Sequence, residues 1–419
     1  MGEGLSNGWT GGQYSLFRAA FGAYLLVHFA QLLPWGGELF SSGGALPQAR
    51  ASPIAFVFPN VLSWFDPPWF VVGLLGSAFV AAPLFALGWR DREAAVWLWY
   101  VWACLFGRNP LIANPGLPYV GWMLLAHACL PRAPYGSLAA LGRSDPGGSW
   151  RMPGGIFAAA WILMALGYTF SGVTKLASPS WLDGSALTRV LDNPLARPGP
   201  ARELALEMPA ALMRAATWCA LGLELAFAPL ALLRKARSWL WTAMLLLHLS
   251  LIALIDFADL SLGMVMLHGL TFDPAWIPAG PARREVRERL FYDGTCGLCH
   301  RAVRFVLAED PEGRGFRFAP LQGETFRGAV PLEKTVGLPD SLVLETGEGT
   351  LLTRSAAVLH LLDGLGGLWR VLAVAARVIP SVVRDTVYGG IARVRYRLFA
   401  RPAEACPLVP QRLRARFDP

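Results

Sequence analysis

Long apolar runs fill the first two thirds of this chain, and they restrict what it can fold into more than any other feature. A helix needs about 20 predominantly apolar residues to cross a bilayer, because its backbone polar groups must all be satisfied within the segment. Runs that reach or approach that length lie near residues 14 to 33, 69 to 88, 94 to 107, 116 to 130, 153 to 175, 209 to 233, 239 to 257 and 260 to 277. The sequence therefore predicts an α-helical polytopic membrane domain of about eight spans. The third and fourth runs are short, and Asn109-Pro110 and Asn114-Pro115 between them also suit a re-entrant hairpin. Composition agrees: 54% hydrophobic and 16% charged residues are too apolar for an ordinary soluble chain of 419 residues. The first residues lack Lys and Arg and no small-residue cleavage site follows the first run, so no cleavable signal peptide is expected.

Beyond about residue 277 Arg and Glu become dense. That shift predicts two domains, residues 1 to 280 in the membrane and residues 281 to 419 as a small soluble domain. Lys and Arg flanking short loops are retained in the cytoplasm, which orients the spans. With the N-terminus inside, Arg90 and Arg92, then Arg132, Arg143 and Arg151, then Arg234, Lys235 and Arg237, and finally Arg283 and Arg284 all fall on the inner side. The expectation is an integral protein of the inner or plasma membrane with its N-terminus and soluble domain cytoplasmic. The net charge of +8 follows from this topology and does not call for nucleic acid. The segment from Leu368 to Phe399 sets Arg370, Arg377, Arg384, Arg393, Arg395 and Arg397 among Leu, Val, Ile and Tyr. It reads either as helices packed on their own domain with a basic outer face or as a contact with a membrane surface.

Six cysteines in so long a chain are no disulfide scaffold. Cys104, Cys129 and Cys219 sit in apolar runs, where a cysteine is ordinarily a small buried hydrophobe. Cys296 and Cys299, with Cys406 as a distant third, look chemical. They stand in Phe291-Tyr-Asp293-Gly-Thr-Cys296-Gly-Leu-Cys299-His300. Glu288 to Tyr292 reads as a strand and Arg301 to Leu307 as helical. Strands are further expected at 315 to 319, 341 to 345 and 350 to 352, and a helix over 352 to 362. A β-α-β start followed by β-β-α is the thioredoxin-like order, with extra helices after it. Pro339, just before the third strand, is where that fold commonly carries a proline facing the dithiol.

A CxxC at a helix start has a physical purpose. The helix N-terminus favours a thiolate on the first sulfur, making Cys296 the attacking nucleophile, and Cys299 one turn on resolves the mixed disulfide. Three other readings stand beside this one. His300 and Cys406 would be the further ligands of a zinc site, Cys296 to His300 satisfies the C-x-x-C-H pattern of covalent haem attachment, and the pair is also compatible with a purely structural role.

Tyr292-Asp293-Gly294-x-Cys296-x-x-Cys299 resembles the signature of the DCC family of thiol-disulfide oxidoreductase-like domains. The resemblance continues through Asp340-Ser341-Leu342-Val343, Arg354-Ser355-Ala356-Ala357, Ile379-Pro380, Tyr388, Arg395-Tyr396-Arg397 and Arg416-Phe417. It implies a thioredoxin-like fold, a redox pair and a protein thiol or disulfide as partner.

Ionisable residues inside a span are costly and mark a site by default. Lys175 closes the fifth run, in Tyr168-Thr-Phe-Ser171-Gly172-Val-Thr-Lys175, followed by Trp181 and Gly184. It is either a lysine that snorkels to the outer interface or a base. Glu224 and His248, at similar distances from the loop Arg234 to Arg237, are expected to meet near the midplane. His28 and His268 read as interhelical hydrogen-bonding groups, and Asp256 and Asp259 as the end of a helix at the outer surface. Phe170 to Leu176, with Trp181 and Gly184, resembles the HTTM family, the membrane domain related to vitamin K-dependent gamma-carboxylase. That likeness implies a catalytic base at Lys175 and a quinone-like lipid-soluble cofactor. Thr174 stands where the carboxylase has a first lysine, and no large extracytoplasmic domain follows the spans.

The expectation is thus a membrane-anchored thiol-disulfide oxidoreductase using Cys296 and Cys299. Its alternatives are a non-catalytic membrane factor for maturation or export of a secreted peptide, and a carboxylase or quinone-type membrane enzyme using Lys175.

Overall fold

The computed structural model describes residues 7–48, 52, 57–147, 150–256, 259–280, 288–313, 315–331, 341–399 and 409–419. Pro339 and Cys406 lie outside the described residues. The chain divides into two compact units, and not by a single cut: Ala19–Leu130 joins Pro153–Phe272, whereas Asn7–Arg18 and Pro131–Met152 belong with Asp273–Pro419.

The helical unit contains most of α1 (Gly11–Leu32), then α2 (Pro68–Leu87), α3 (Asp91–Arg108), α4 (Leu117–Ala128), α5 (Gly154–Lys175), α6 (Ala210–Ala231), α7 (Arg234–Leu254) and α8 (Asp259–Thr271). Five helical stretches among the described residues are long and apolar enough to cross a membrane: Gly11–Phe40, Pro68–Leu87, Gly154–Lys175, Ala210–Ala231 and Arg234–Leu254. Each of the eight expected runs overlaps one of the helices α1 to α8, yet three fall short of that measure. Charged Asp91, Arg92, Glu93 and Arg108 at its ends lower the hydropathy of α3, α4 has 12 residues, and α8 has 13. Punctuation follows local chemistry. Pro68 opens α2, and Gly88, at φ 70°, closes it in the left-handed conformation that glycine adopts without penalty.

Small residues let these helices approach closely, as in other membrane bundles. A Cβ on Gly172 would lie 2.9 Å from the backbone nitrogen of Leu225 and 3.1 Å from Cβ of Glu224. Gly172 therefore brings α5 against α6 one turn before Lys175.

The second unit is built on a four-stranded mixed sheet in the order β2-β1-β3-β4, from β1 (Glu288–Tyr292), β2 (Phe316–Pro320), β3 (Val343–Glu345) and β4 (Leu351–Thr353). β1 and β2 are parallel and joined through α9 (Gly297–Glu309), whereas β3 is antiparallel to both β1 and β4. Helix α10 (Glu324–Ala329) follows β2, and α11 (Arg354–Leu365), α12 (Gly367–Arg377), α13 (Ser381–Leu398) and α14 (Gln411–Arg414) complete the unit. Alternation along β1 divides its side chains between two cores. Leu290 and Tyr292 pack with Cys296, Cys299, Val303, Phe316 and Phe318, and Phe291 packs with Ala319, Phe326 and Val343.

The C-terminus closes the free edge of β2. Phe318 N donates to Arg416 O (3.0 Å) and Asp418 N to Phe318 O (2.8 Å), which adds a short parallel pairing at Phe417. Buried Arg416 bonds Asp310 and the Phe316 carbonyl. The Arg416-Phe417 pair of the sequence signature is therefore part of the frame.

Candidate active site

Asp293 organises the loop between β1 and α9. Its Oδ1 accepts from Thr295 N (2.9 Å), Thr295 Oγ1 (2.8 Å) and Gln322 Nε2 (3.0 Å), and its carbonyl accepts from Cys296 N (3.2 Å). Such a side-chain-closed turn ends the strand and starts the helix within three residues. Cys296 is then the N-cap of α9 in an extended conformation, and Cys299 lies on its first turn. His300 Nε2 donates to the Gly294 carbonyl (3.0 Å), so His300 braces the same loop.

Both thiols are buried and neither forms a disulfide. Cys296 has no exposed surface and Cys299 is 5% exposed. Burial pushes the Cys299 thiol up to about 12; its hydrogen bond with Cys296 and the charge there act the same way, while the Asp293 backbone and Arg395 pull it down.

Helix α13 supplies the groups around this pair. Buried Arg395 stands 3.8 Å from Asp293 Oδ2, and the Tyr388 hydroxyl accepts from Leu342 N (3.1 Å) at the entrance to β3. Ser355, at the start of α11, bonds Asp385 of α13 through its backbone nitrogen and its hydroxyl. Five scattered residues of the sequence signature, Asp293, Leu342, Ser355, Tyr388 and Arg395, thus tie α13 to the dithiol loop, to β3 and to α11.

Residues 290–401 match the family described as DCC1-like thiol-disulfide oxidoreductase. The protein YuxK of Bacillus subtilis (strain 168), described as uncharacterized, is 39% identical over 134 residues, 31% of this chain and 93% of that one. The DCC family protein At1g52590, chloroplastic, of Arabidopsis thaliana is 33% identical over 125 residues, 29% of this chain and 70% of its own length. No solved structure matches the chain.

The chain belongs to the DCC family. The family match starts at residue 290, so it covers the mixed sheet and the dithiol loop. The DCC region is completed by two segments from elsewhere in the chain. Glu309, at the end of α9, accepts from Thr10 Oγ1, from Gly12 N (2.8 Å) and from Trp369 Nε1 (2.6 Å). Burial raises its carboxyl above the usual range, and the bonds from Thr10 and Trp369 oppose that. From Pro131–Met152, the carbonyls of Arg143 and Ser144 accept from Arg304 of α9.

Besides the ion pairs Arg108–Asp66 and His127–Asp91, ionisable residues of the helical unit cluster around Lys175, His248 and Asp259. Lys175 Nζ donates to both carboxylate oxygens of Glu224 and to Ser171 Oγ (2.9 Å), and it lies 4.7 Å from the Trp181 ring centroid. All three ammonium protons are engaged. His248 bonds Tyr168 Oη (2.8 Å) and Ser261 Oγ (3.3 Å), and Tyr168 is 3.5 Å from His268 Nε2. The expected meeting of Glu224 with His248 is thus replaced by separate bonds from each to α5, because Lys175 and Tyr168 of α5 reach these partners first.

Sequence reasoning read His28 as an interhelical hydrogen-bonding group but missed its partner Asp259. Asp259, read as a helix end at the outer surface, accepts from Tyr24 Oη (3.1 Å), His28 Nδ1 (3.1 Å) and Asn114 Nδ2 (3.1 Å). Tyr24, His28 and Asp259 line a cavity of about 740 Å³ together with apolar residues such as Val27, Phe40, Trp102 and Leu262 and with Arg197 and Asp256. The intramembrane histidine was the available signal, and its partner lies more than two hundred residues away in sequence.

Proposed function

We propose that this protein is a membrane-anchored thiol-disulfide oxidoreductase whose working pair is Cys296 and Cys299. The observation that carries this reading is the placement of both thiols on the first turn of α9, with Cys296 at the N-cap, inside a domain of the DCC family. Cys296 as a thiolate attacks a substrate disulfide and forms a mixed disulfide as one substrate thiol leaves. Cys299 gives up its proton and attacks Cys296, and the second substrate thiol leaves. The substrate gains two electrons and two protons, the pair becomes a disulfide, and a second dithiol or another two-electron reductant restores it. Because both sulfurs are buried, substrate access requires the side chains packed around the dithiol loop to give way.

The compact unit that holds the dithiol also supports a topology. Asn7–Arg18, Pro131–Met152 and Asp273–Pro419 fold together and so occupy one side of the membrane. An even number of crossings must therefore separate Arg18 from Pro131, and Met152 from Asp273. The stretches long and apolar enough to cross are two in the first interval and three in the second. Helix α8 restores parity in the second interval, which favours six or eight crossings over five. The distribution of Lys and Arg makes the shared side cytoplasmic, where a dithiol is kept reduced and serves to deliver reductant.

A quinone-like cofactor, implied by the carboxylase resemblance, fits the cavity over Asp259 by size and by its aromatic lining; such a group would supply lipid-soluble electrons. Tyr24 and His28 would orient it. A carboxylase-like role for Lys175 requires Lys175 to leave Glu224 first.

Thiol trapping on the full chain in intact cells tests the proposal. Cys299→Ser accumulates a mixed disulfide through Cys296, and Cys296→Ser does not. Absence of any mixed disulfide in Cys299→Ser refutes the redox reading, and labelling of Cys296 by a membrane-impermeant reagent refutes the cytoplasmic placement.

A further inference from the structure

Helices α12 and α13 expose an aliphatic surface that the redox reading leaves unused. On α13, Val383, Val387, Ile391 and Val394 recur at helical spacing and are all exposed, with Val387 at 59%. On α12 and the turn after it, Val371, Val374, Val378 and Ile379 are exposed as well, Val378 at 85%, and Val382 at 75% opens α13. Exposed aliphatic surface of this extent ordinarily marks an interaction site.

The chemistry of the patch selects the partner. Its exposed members are all aliphatic and mostly β-branched, whereas protein interfaces are enriched in aromatic residues and Met at their centre. Exposed Arg377, Arg393 and Arg397 fringe it, the arrangement of interfacial helices that place aliphatic side chains among acyl chains and guanidinium groups among phosphates. The sequence of α13 points the same way. Its valines and Gly389-Gly390, where an added Cβ would meet nothing within 4 Å, make it a poor helix former in water, so an apolar environment on its outer face would add to the bonds that hold its inner face.

We infer that α12 and α13 form an interfacial hairpin that lies in the surface of an anionic bilayer, with Val378, Val382 and Val387 immersed and the arginines at the headgroups. The chain already carries helices long enough to span that bilayer, so the hairpin needs only to partition locally. Arg395 of α13 stands 3.8 Å from Asp293 of the dithiol loop, so the membrane surface would adjoin the redox site. The inference stands on the exposed stripe, whether or not the dithiol turns over.

The test uses the full chain in nanodiscs of phosphatidylcholine and phosphatidylglycerol, with the photo-crosslinker p-azidophenylalanine replacing Val387, Val378 or, as a control, Glu348 in the exposed β3–β4 turn. Phospholipid adducts at Val387 and Val378 are expected to exceed those at Glu348 by about tenfold or more. Adducts at the control level overturn the inference, as do adducts that join two copies of the chain. The two stripe positions are independent reporters, so poor folding of one derivative leaves the other decisive. Val383→Glu is expected to lower the lipid adduct at Val387 severalfold, and an unchanged yield counts against immersion of this face.

Discussion

The dithiol loop and the Lys175 cluster are both ionisable sites in apolar surroundings, yet they are assembled in opposite ways. Every group that shapes the dithiol turn, apart from Gln322 and Arg395, lies between Asp293 and His300. In the helical unit the decisive partners are distant in sequence: Lys175 with Glu224, His28 with Asp259, Tyr168 with His248. A site encoded within a few residues keeps its chemistry wherever the fold places it. A site assembled between helices exists only while their packing holds, and substitutions in it act first on stability.

This contrast predicts its largest effect on turnover. Cys296→Ser is expected to lower the reduction of a small disulfide by the full protein by about a thousandfold or more, because the attacking atom is gone. Cys104→Ser, a change at a fully buried cysteine of the helical unit, is expected to leave turnover within about twofold. A steady-state assay in detergent compares them, and equal losses would erase the distinction between the two sites.

Next in size is the ion pair. Glu224→Gln leaves Lys175 facing a neutral amide in a site where the carboxylate side chain is 7% and the lysine 22% exposed. Loss of one partner of a buried pair costs about 3–5 kcal/mol, and the residual exposure of Lys175 reduces this to about 2–3 kcal/mol. Thermal unfolding of Glu224→Gln, Lys175→Met and the double variant measures it. The double variant is expected to recover much of the loss, and strict additivity would show that the two residues do not interact.

A smaller effect is expected at the contact that brings the pair together. A Cβ on Gly172 would meet the backbone of α6 at 2.9 Å, and a backbone neighbour cannot rotate away, so Gly172→Ala must shift a helix. The cost is about 1–3 kcal/mol. Gly222, on α6 with nothing within 4 Å of an added Cβ, is the control, and Gly222→Ala is expected to be neutral or stabilising.

The same division explains what could be read from sequence. β1 was legible to its last residue, because the run from Glu288 to Tyr292 is bounded by the Asp-Gly turn, and the helix beginning at the CxxC was legible from its periodicity. The runs at 94 to 107 and 116 to 130 were legible as helices, but whether a short apolar helix crosses a bilayer depends on its neighbours. The pairing of Phe417 beside β2 had no local signal, since it depends on a contact a hundred residues away. Asp259 was misread for the same reason: a carboxylate near a helix start looks solvated until three donors from other helices are found around it.

The smallest effect tests whether long-range pairs in the DCC unit obey the rule drawn from the helical unit. His360 Nε2 bonds the buried Glu288 carboxylate at 2.9 Å, joining α11 to β1 across 72 residues. That bond raises the His360 pKa above the ordinary 6.5; burial opposes it, the charges of Glu288 and Asp363 add to it, and Arg377 subtracts. A histidine whose pKa is higher in the folded than in the unfolded state binds its proton more tightly when folded. Its contribution is therefore fully present below about pH 6.5, falls as the pH rises above that value, and is lost once the pH passes the raised folded value. With the imidazole partly exposed to solvent, the contribution is about 1 kcal/mol or less. The melting temperature of the wild-type chain is expected to exceed that of His360→Gln at about pH 5.5, with the difference vanishing by about pH 9. A difference that grows with pH would mean that His360 serves Glu288 only as a neutral hydrogen-bond donor, and that the charge on this long-range pair contributes nothing to the sheet.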